Sequence, residues 1–552
     1  MRIGIAVFLL LYAVCGQAAP PQAPSDEDVA ARFRDGQEAL RAGRIGPAVA
    51  AFEEVLRMRP DLMEARLNLG LAHFSGGEYG RAAAEMARVL ESQSAHPAAN
   101  LFLGLSYVKL GLPRKAVPPL RRAIRADGSN RQARSALAAC HQALREYRGA
   151  AAQFRALFAL ERDPEAAWFE LGRGYLELAS QLSERMVWEY RTSSWAHRLA
   201  ADLFAERSVW DEAEQEYRKT LEIDPAQPGL HAALASVLLR QGKGDEAAKR
   251  VARELDRGGR HGEAPPVGEA DLAALAIGPG CAARSDKDCA AYLRSKRGLL
   301  PGERLLLGRA LFRLGDYEHA SDAFAAALEE KPGDVEALYW LIRAYTRLSD
   351  QCFTKLLTAY PDSPRTHQLK AESHRVRGAY DQAVEEYRKA IRERPDDPEL
   401  YEAVGDLYLL TCSYAEARKA LNIAERLDPS NPRIMYLLGR VYLGQEEPGK
   451  AVPYLERAVR HAPNLLEARA ALGRLYLRAG KPAAAIPELQ KAAPLDHYGD
   501  LHYLLYRCHI ALGQKELAAA ALARSRELRN SAFAGDRAKL AEINPVEPAP
   551  EQ

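Results

Sequence analysis

Four kinds of residue in this 552-residue chain have types and spacings suited to chemistry: regularly spaced histidines, adjacent carboxylates, a close pair of cysteines and arginines four residues apart. His367/His374 and His502/His509 are each seven residues apart, about 10.5 Å along a helix axis. Two ligands of one metal are better placed four apart on one helix face. The chain has no CxxC, HExxH or paired Cys/His set, so the histidines read as packing residues and no metal is expected. Glu53-Glu54, Glu329-Glu330 and Glu385-Glu386 sit among Arg and Lys, as solvated helix faces do, and no acid/base dyad follows from them. No Gly-rich phosphate loop or GxSxG elbow is present, and Gly242-Lys243-Gly244 lacks the rest of a phosphate-loop motif. The chain is therefore expected to have no catalytic residue and no cofactor.

The cysteines offer one candidate bond. Cys140, Cys352, Cys412 and Cys508 are scattered singly and read as small buried hydrophobes. Cys281 and Cys289 are eight residues apart, too far along one helix, about 12 Å, for a disulfide whose Cα atoms must lie within about 7 Å. Ser285, however, is placed to cap a helix from about Asp286 to Lys296. Cys281 would then fold back from the Gly278-Pro279-Gly280 loop. A disulfide needs an oxidising compartment, and the first residues agree with one: Arg2, an apolar run from Ile3 to Val14, and small residues at Gly16 and Ala18. Residues 1–18 are expected to be an export signal, with a periplasmic or secreted mature chain and peripheral envelope association open to it. Lipoprotein processing at Cys15 is the second reading, with Tyr12-Ala13-Val14 a poor lead-in. The 76 basic and 74 acidic residues nearly cancel, so no global field favours nucleic acid or anionic membrane, and recognition by charge must be local.

A fixed period positions these residues. Gly36, Gly70, Gly104, Ala138 and Gly172 are each 34 residues apart, as are Gly405, Gly439 and Gly473. Around them one pattern recurs: Leu103-Gly104, Tyr107, Ala116, Leu120, Ala123; then Leu307-Gly308, Leu311, Ala320, Phe324, Ala327, Pro332; then Leu438-Gly439, Tyr442, Ala451, Leu455, Ala458, Pro463. The small residues allow two antiparallel helices to touch, and Pro ends the unit because it cannot continue a helix. One such hairpin cannot bury its apolar face, but stacked neighbours can. These residues and this step resemble the tetratricopeptide repeat.

The resemblance implies an all-α, right-handed α-solenoid of about fourteen helix hairpins covering 29–532. The units at 165 and 335 are about five residues short and 170 residues apart. That offset aligns Arg173 with Arg343, Tyr175 with Tyr345, His197 with His367 and Glu216-Tyr217-Arg218-Lys219 with Glu386-Tyr387-Arg388-Lys389, so a larger module, roughly 165–255 and 335–425, is duplicated. The period is lost in 256–300, where Gly and Pro cluster. The expected organisation is a first arm (29–255), an irregular linker (256–300), a second arm (301–532) and a disordered Pro/Glu tail (533–552).

In this family the first helix of each unit lines a concave groove. Projected onto the second arm, the groove positions collect Arg309, Arg313, Arg343, Arg347, Arg440, Arg474, Arg478 and Arg507, with Tyr339, Tyr436 and Tyr503 at the fifth position. Guanidinium forks suit carboxylates and phosphates, and Tyr adds flat apolar area. Glu372, Glu402 and Asp406 interrupt the stripe, and Leu67, Leu71, Leu101 and Leu105 make the first arm's groove more apolar. The resulting expectation is a scaffold that holds a protein or peptide, acidic in character, in this groove. The alternative is an accessory protein that contacts carbohydrate or envelope polymer.

Overall fold

A left-handed turn residue recurs at the 34-residue step and sets the architecture. Gly43, Gly77, Gly111 and Arg145, and again Gly378, Cys412, Glu446 and Gly480, have φ between 57° and 77°. Each closes the first helix of its unit with one residue that a helix cannot contain. The computed structural model describes residues 25–257 and 285–543, and among these there are helices and turns but no strand. The fold is an all-α solenoid, and no described helix is long and apolar enough to cross a membrane.

The chain forms two compact units, the first ending at Leu110. It contains the hairpins Asp26–Arg41/Ile45–Met58 and Met63–Ser75/Tyr79–Ser92, followed by the helix Pro97–Lys109. Gly36 and Gly70 do the work expected of the small residue. A Cβ at Gly36 would lie 2.7 Å from the buried Phe52 ring, and one at Gly70 would lie 2.8 Å from Met86. In the second unit Gly439 and Gly473 face Leu455 and Leu489 in the same way, each at 2.7 Å. A Cβ at any of these four glycines would require the facing side chain to shift, so the position favours a small residue.

The two short units differ from the hairpins expected of them. Each is one long helix, Pro164–Glu189 and Val335–Ala359. The turn residue would have fallen at Ala179 and Ser349, and both are helical. The five missing residues are the turn itself.

These two helices pack on each other in opposite directions. Tyr175 and Tyr345, aligned by the 170-residue offset, stack at 5.8 Å with 20° between their planes. Ser349 Oγ donates to the Gly172 carbonyl at 3.0 Å, and a Cβ at Gly172 would sit 2.6 Å from the Phe353 ring. Tyr345 also donates to the Tyr147 carbonyl at 3.2 Å. One core therefore joins Tyr147, Tyr175, Leu178, Leu182 and Met186 with Leu311, Phe324, Leu341, Tyr345 and Cys352. The duplicated modules keep matching contacts around this junction: His197 Nδ1 meets Glu216 at 2.7 Å, and His367 Nδ1 meets Glu386 at 2.7 Å. The stretches expected as successive arms are thus tied through a shared core as well as through the segment between them.

Part of that segment, 258–284, lies outside the described residues, as do the expected signal and the end of the tail. The helix Asp286–Ser295 starts where expected, with the Ser285 side chain accepting from Asp288 N. Cys289 is fully buried and disulfide-bonded; Cys281 lies outside the described residues. The last helix, Lys515–Ile543, runs on into the stretch expected as a disordered tail.

Candidate functional site

The duplication produces two versions of one constellation beside the long-helix junction. In the first, the helix Ser194–Glu206 presents Arg198, Asp202 and Glu206 to Tyr339 and Arg343 of Val335–Ala359. Asp202 accepts hydrogen bonds from the hydroxyls of Tyr217 and Tyr339. Arg343 approaches it at 3.7 Å and holds Glu206 at 2.8 Å. Arg198 is buried, donates to the Pro228 carbonyl at 2.7 Å, and lies 5.3 Å from the Tyr339 ring and 5.4 Å from that of Trp195. Burial, reinforced by Asp202, pushes the Tyr217 and Tyr339 hydroxyls well above their usual range. This version is closed. Its carboxylates Asp202 and Glu206 are engaged by Tyr217, Tyr339 and Arg343, and these contacts bridge Ser194–Glu206 to Val335–Ala359.

In the second version the same positions open. Phe169 stands where Tyr339 stands and brings no hydroxyl; Gln368 replaces Arg198, and Glu372 replaces Asp202. Arg365 takes over the guanidinium's place, 5.0 Å from the Phe169 ring, and is bound to Gln368 at 2.7 Å. A cleft of about 480 Å³ results, lined by Arg173, Glu372, Arg375, Glu399, Glu402, Asp406 and Arg433 among others. Arg173 lies 3.5 Å from Glu399. Arg433 lies 3.0 Å from Glu402 and 3.7 Å from Asp406. Burial raises the carboxyls of Glu372 and Glu402 above their usual range despite these arginines. The cleft thus gathers three arginines, Arg173, Arg375 and Arg433, with four carboxylates, Glu372, Glu399, Glu402 and Asp406.

The groove residues expected from the sequence are not equivalent in the structure. Arg309 is held by Glu336 at 3.1 Å, Arg343 by Glu206, Arg440 by Asp406 at 3.4 Å and Arg313 by Asp286. Arg347 is half-buried, 3.6 Å from Asp350. Tyr339 corrects the expectation: it is 2% exposed, because its unit is a long helix whose fifth position faces the shared core. Tyr436 is half-buried beneath Arg440, 5.9 Å away. Arg474, Arg478 and Arg507 are exposed and make no ion pair among the described residues. Tyr503 is 43% exposed and packs near Tyr506 at 5.7 Å. These residues lie on the neighbouring first helices Leu466–Arg478 and Asp500–Ala511. In the first compact unit, Leu67 and Leu71 pack against a core cluster and Leu105 is buried, so their apolar area is largely spent on folding.

The histidines clamp hairpins. His73 and His141 reach five residues ahead to Glu78 and Glu146, at 2.7 and 2.6 Å, and His502 meets Asp496 at 2.6 Å. No group of three His, Cys, Asp or Glu among the described residues is arranged to hold a metal. Sequence reasoning missed Arg173, Arg375, Glu399 and Arg433 as cleft residues. The 170-residue offset aligns Arg173 with Arg343, but only the structure shows that one copy is sealed and the other open.

The family model described as tetratricopeptide repeat matches residues 33–100, 101–157, 305–364, 349–398, 368–432, 405–465 and 436–500, together more than half of the chain. Among solved structures, YrrB, described as a TPR protein with an unusual peptide-binding site, is 24% identical, with 34% of this chain and 97% of that one covered and a TM-score of 0.28. MamA from Desulfovibrio magneticus RS-1 is 24% identical, with 31% and 97% covered and a TM-score of 0.29. A match to the APC/C hetero-tetramer Cut9-Hcn1 is 16% identical, with 91% and 94% covered and a TM-score of 0.29. The search of curated proteins returns no match. With its 34-residue step, its left-handed turns and the family match over most of its repeats, the chain belongs to the tetratricopeptide repeat family.

Proposed function

We propose that this protein is an exported scaffold that holds a partner protein by an acidic segment docked on Leu466–Arg478 and Asp500–Ala511. The observation that carries this reading is the contrast among the arginines. Arg309, Arg343 and Arg440 have carboxylate partners within the chain, whereas Arg474, Arg478 and Arg507 have none among the described residues. Like charges four apart on a helix cost a few tenths of a kcal/mol unless something neutralises them. The exposed Tyr503, one turn from Arg507 on the same helix, adds the flat apolar area that binding surfaces favour.

The test is crosslinking and affinity capture in the native cell, comparing wild type with Arg474→Glu/Arg507→Glu. Each lost guanidinium contact is expected to weaken binding by about 1–3 kcal/mol, and capture should fall further as salt rises. Stability should stay within about 0.5 kcal/mol of wild type per substitution. A partner captured equally well by both proteins would overturn the reading, and capture of carbohydrate or envelope polymer instead of protein would favour the alternative.

The exported location is part of the proposal and is supported by the residues at 1–18 and by the buried, disulfide-bonded Cys289. Non-reducing mass spectrometry of the protein from its own cells is expected to show an N-terminus at Ala19 and Cys281 linked to Cys289. In the chain-entropy model so short a loop adds roughly 2–3 kcal/mol. Two free thiols, or an intact Met1, would count against it.

A further inference from the structure

We infer that the chain carries a second binding site, in a cleft between the helices Pro113–Ala126, Arg131–Ala143 and Tyr147–Leu160, and that it takes an acidic peptide segment. Local charge is the first observation. Residues 113–160 hold ten basic and two acidic side chains, although the whole chain has a net charge of only +2. The helix Pro113–Ala126 contains Arg114, Lys115, Arg121, Arg122 and Arg125 and no Asp or Glu, so it cannot neutralise itself by pairs four apart.

The structure then separates committed arginines from available ones. Arg131 binds Glu161 at 2.6 Å, Arg145 binds Glu189 at 2.9 Å, and Arg155 binds Asp322 at 3.2 Å. Arg121 and Arg125, four residues apart on one face, are exposed and have no carboxylate partner among the described residues. They open onto a cleft of about 630 Å³ that Arg134 also lines. Arg134 is braced for this, donating through Nε and Nη2 to the Gly128 carbonyl at 3.0 and 2.8 Å.

The remaining lining decides the ligand class. Val117, Ile124 and Leu137 line the same cleft, so guanidinium groups alternate with apolar area. A peptide that interleaves carboxylates with aliphatic side chains meets both, and the guanidinium forks match carboxylates in geometry. Inorganic phosphate would leave the apolar area uncovered. Single-stranded nucleic acid needs aromatic faces for stacking, and the one aromatic ring in the cleft, His141, is buried and held by Glu146 at 2.6 Å. The site lies on helices other than those of the proposed groove and does not rest on that reading.

The test is hydrogen–deuterium exchange of the purified chain with an acetylated peptide of three Glu-Glu-Leu repeats. Inorganic phosphate and a ten-nucleotide oligothymidylate serve as comparison probes. The peptide is expected to protect residues 117–137, and Arg121→Glu/Arg125→Glu to weaken that protection's midpoint roughly tenfold or more. Arg121→Ala/Arg125→Ala should weaken it in the same direction, while Arg474→Glu/Arg507→Glu should leave it unchanged. Both positions are exposed, and circular dichroism should confirm unchanged helix. Absence of protection at 117–137, protection unaffected by either double variant, or stronger protection by oligothymidylate or phosphate than by the peptide would overturn the inference.

Discussion

Asp202→Ala is expected to cost about 3–5 kcal/mol of stability, whereas Glu372→Ala, at the duplicated position, is expected to cost less than about 1 kcal/mol. Asp202 is buried and serves three donors: Tyr217, Tyr339 and, at 3.7 Å, Arg343. Removing it leaves Arg343 with Glu206 alone, strips two buried hydroxyls of their acceptor, and takes a counter-charge from beside the buried Arg198. A buried charge deprived of its partner is the costly case. Glu372 has a different balance. Burial raises its carboxyl above the usual range, so its charged form is disfavoured where it stands, and losing the side chain removes that cost. Denaturant unfolding followed by circular dichroism would measure both. The double variant Asp202→Ala/Arg343→Met should recover part of the loss, because an apolar pair replaces a broken ionic one. Equal costs at 202 and 372 would show that the two copies are not the sealed and open versions described above.

What the sequence disclosed and what it concealed follow from how far each interaction reaches. Gly36, Gly70, Gly439 and Gly473 were legible because each meets a partner 16 residues away in its own hairpin, and the repeat prints that relation many times. The duplication was legible from the offset that pairs Tyr175 with Tyr345. Their stacking was not, since alignment says that two residues are equivalent and nothing about whether they touch. The shortened units were visible as missing residues, but a missing turn and a shortened hairpin look alike in a count. Carrying the repeat register through Val335–Ala359 then put Tyr339 in a groove, when the fused helix turns it into the core. Among the arginines, the Arg440–Asp406 pair spans one period and was foreseeable from the acidic residues interrupting the stripe. The Arg343–Glu206 pair spans 137 residues and has no local trace. The basic helix Pro113–Ala126 was hidden by averaging, because the chain's total charge cancels. A count over one hairpin would have found it.

Tyr345→Ala is expected to cost about 3–5 kcal/mol, as large-to-small changes in a full core do, and its reach along the chain matters more than its size. Tyr345 is fully buried, stacks on Tyr175 and donates to the Tyr147 carbonyl. In a simple solenoid each repeat is coupled only to its neighbours, so a lesion spreads to adjacent units and fades. Here the long helices make residues 170 positions apart into neighbours. Hydrogen exchange of Tyr345→Ala should therefore accelerate in Pro164–Glu189 and in Val335–Ala359 together, beyond any change in Pro398–Leu410 and Tyr414–Leu427. Tyr345→Phe keeps the stack and removes only the hydroxyl, so it should cost about 1 kcal/mol and leave the two helices coupled. If Tyr345→Ala instead loosens only the hairpins next to 335–359 while Pro164–Glu189 keeps its protection, the antiparallel junction contributes little. The protein would then behave as an ordinary string of repeats. If both helices respond as one, the duplicated modules act as a clasp that fixes the positions from which the cleft at Glu372 and the arginines of Leu466–Arg478 and Asp500–Ala511 are presented.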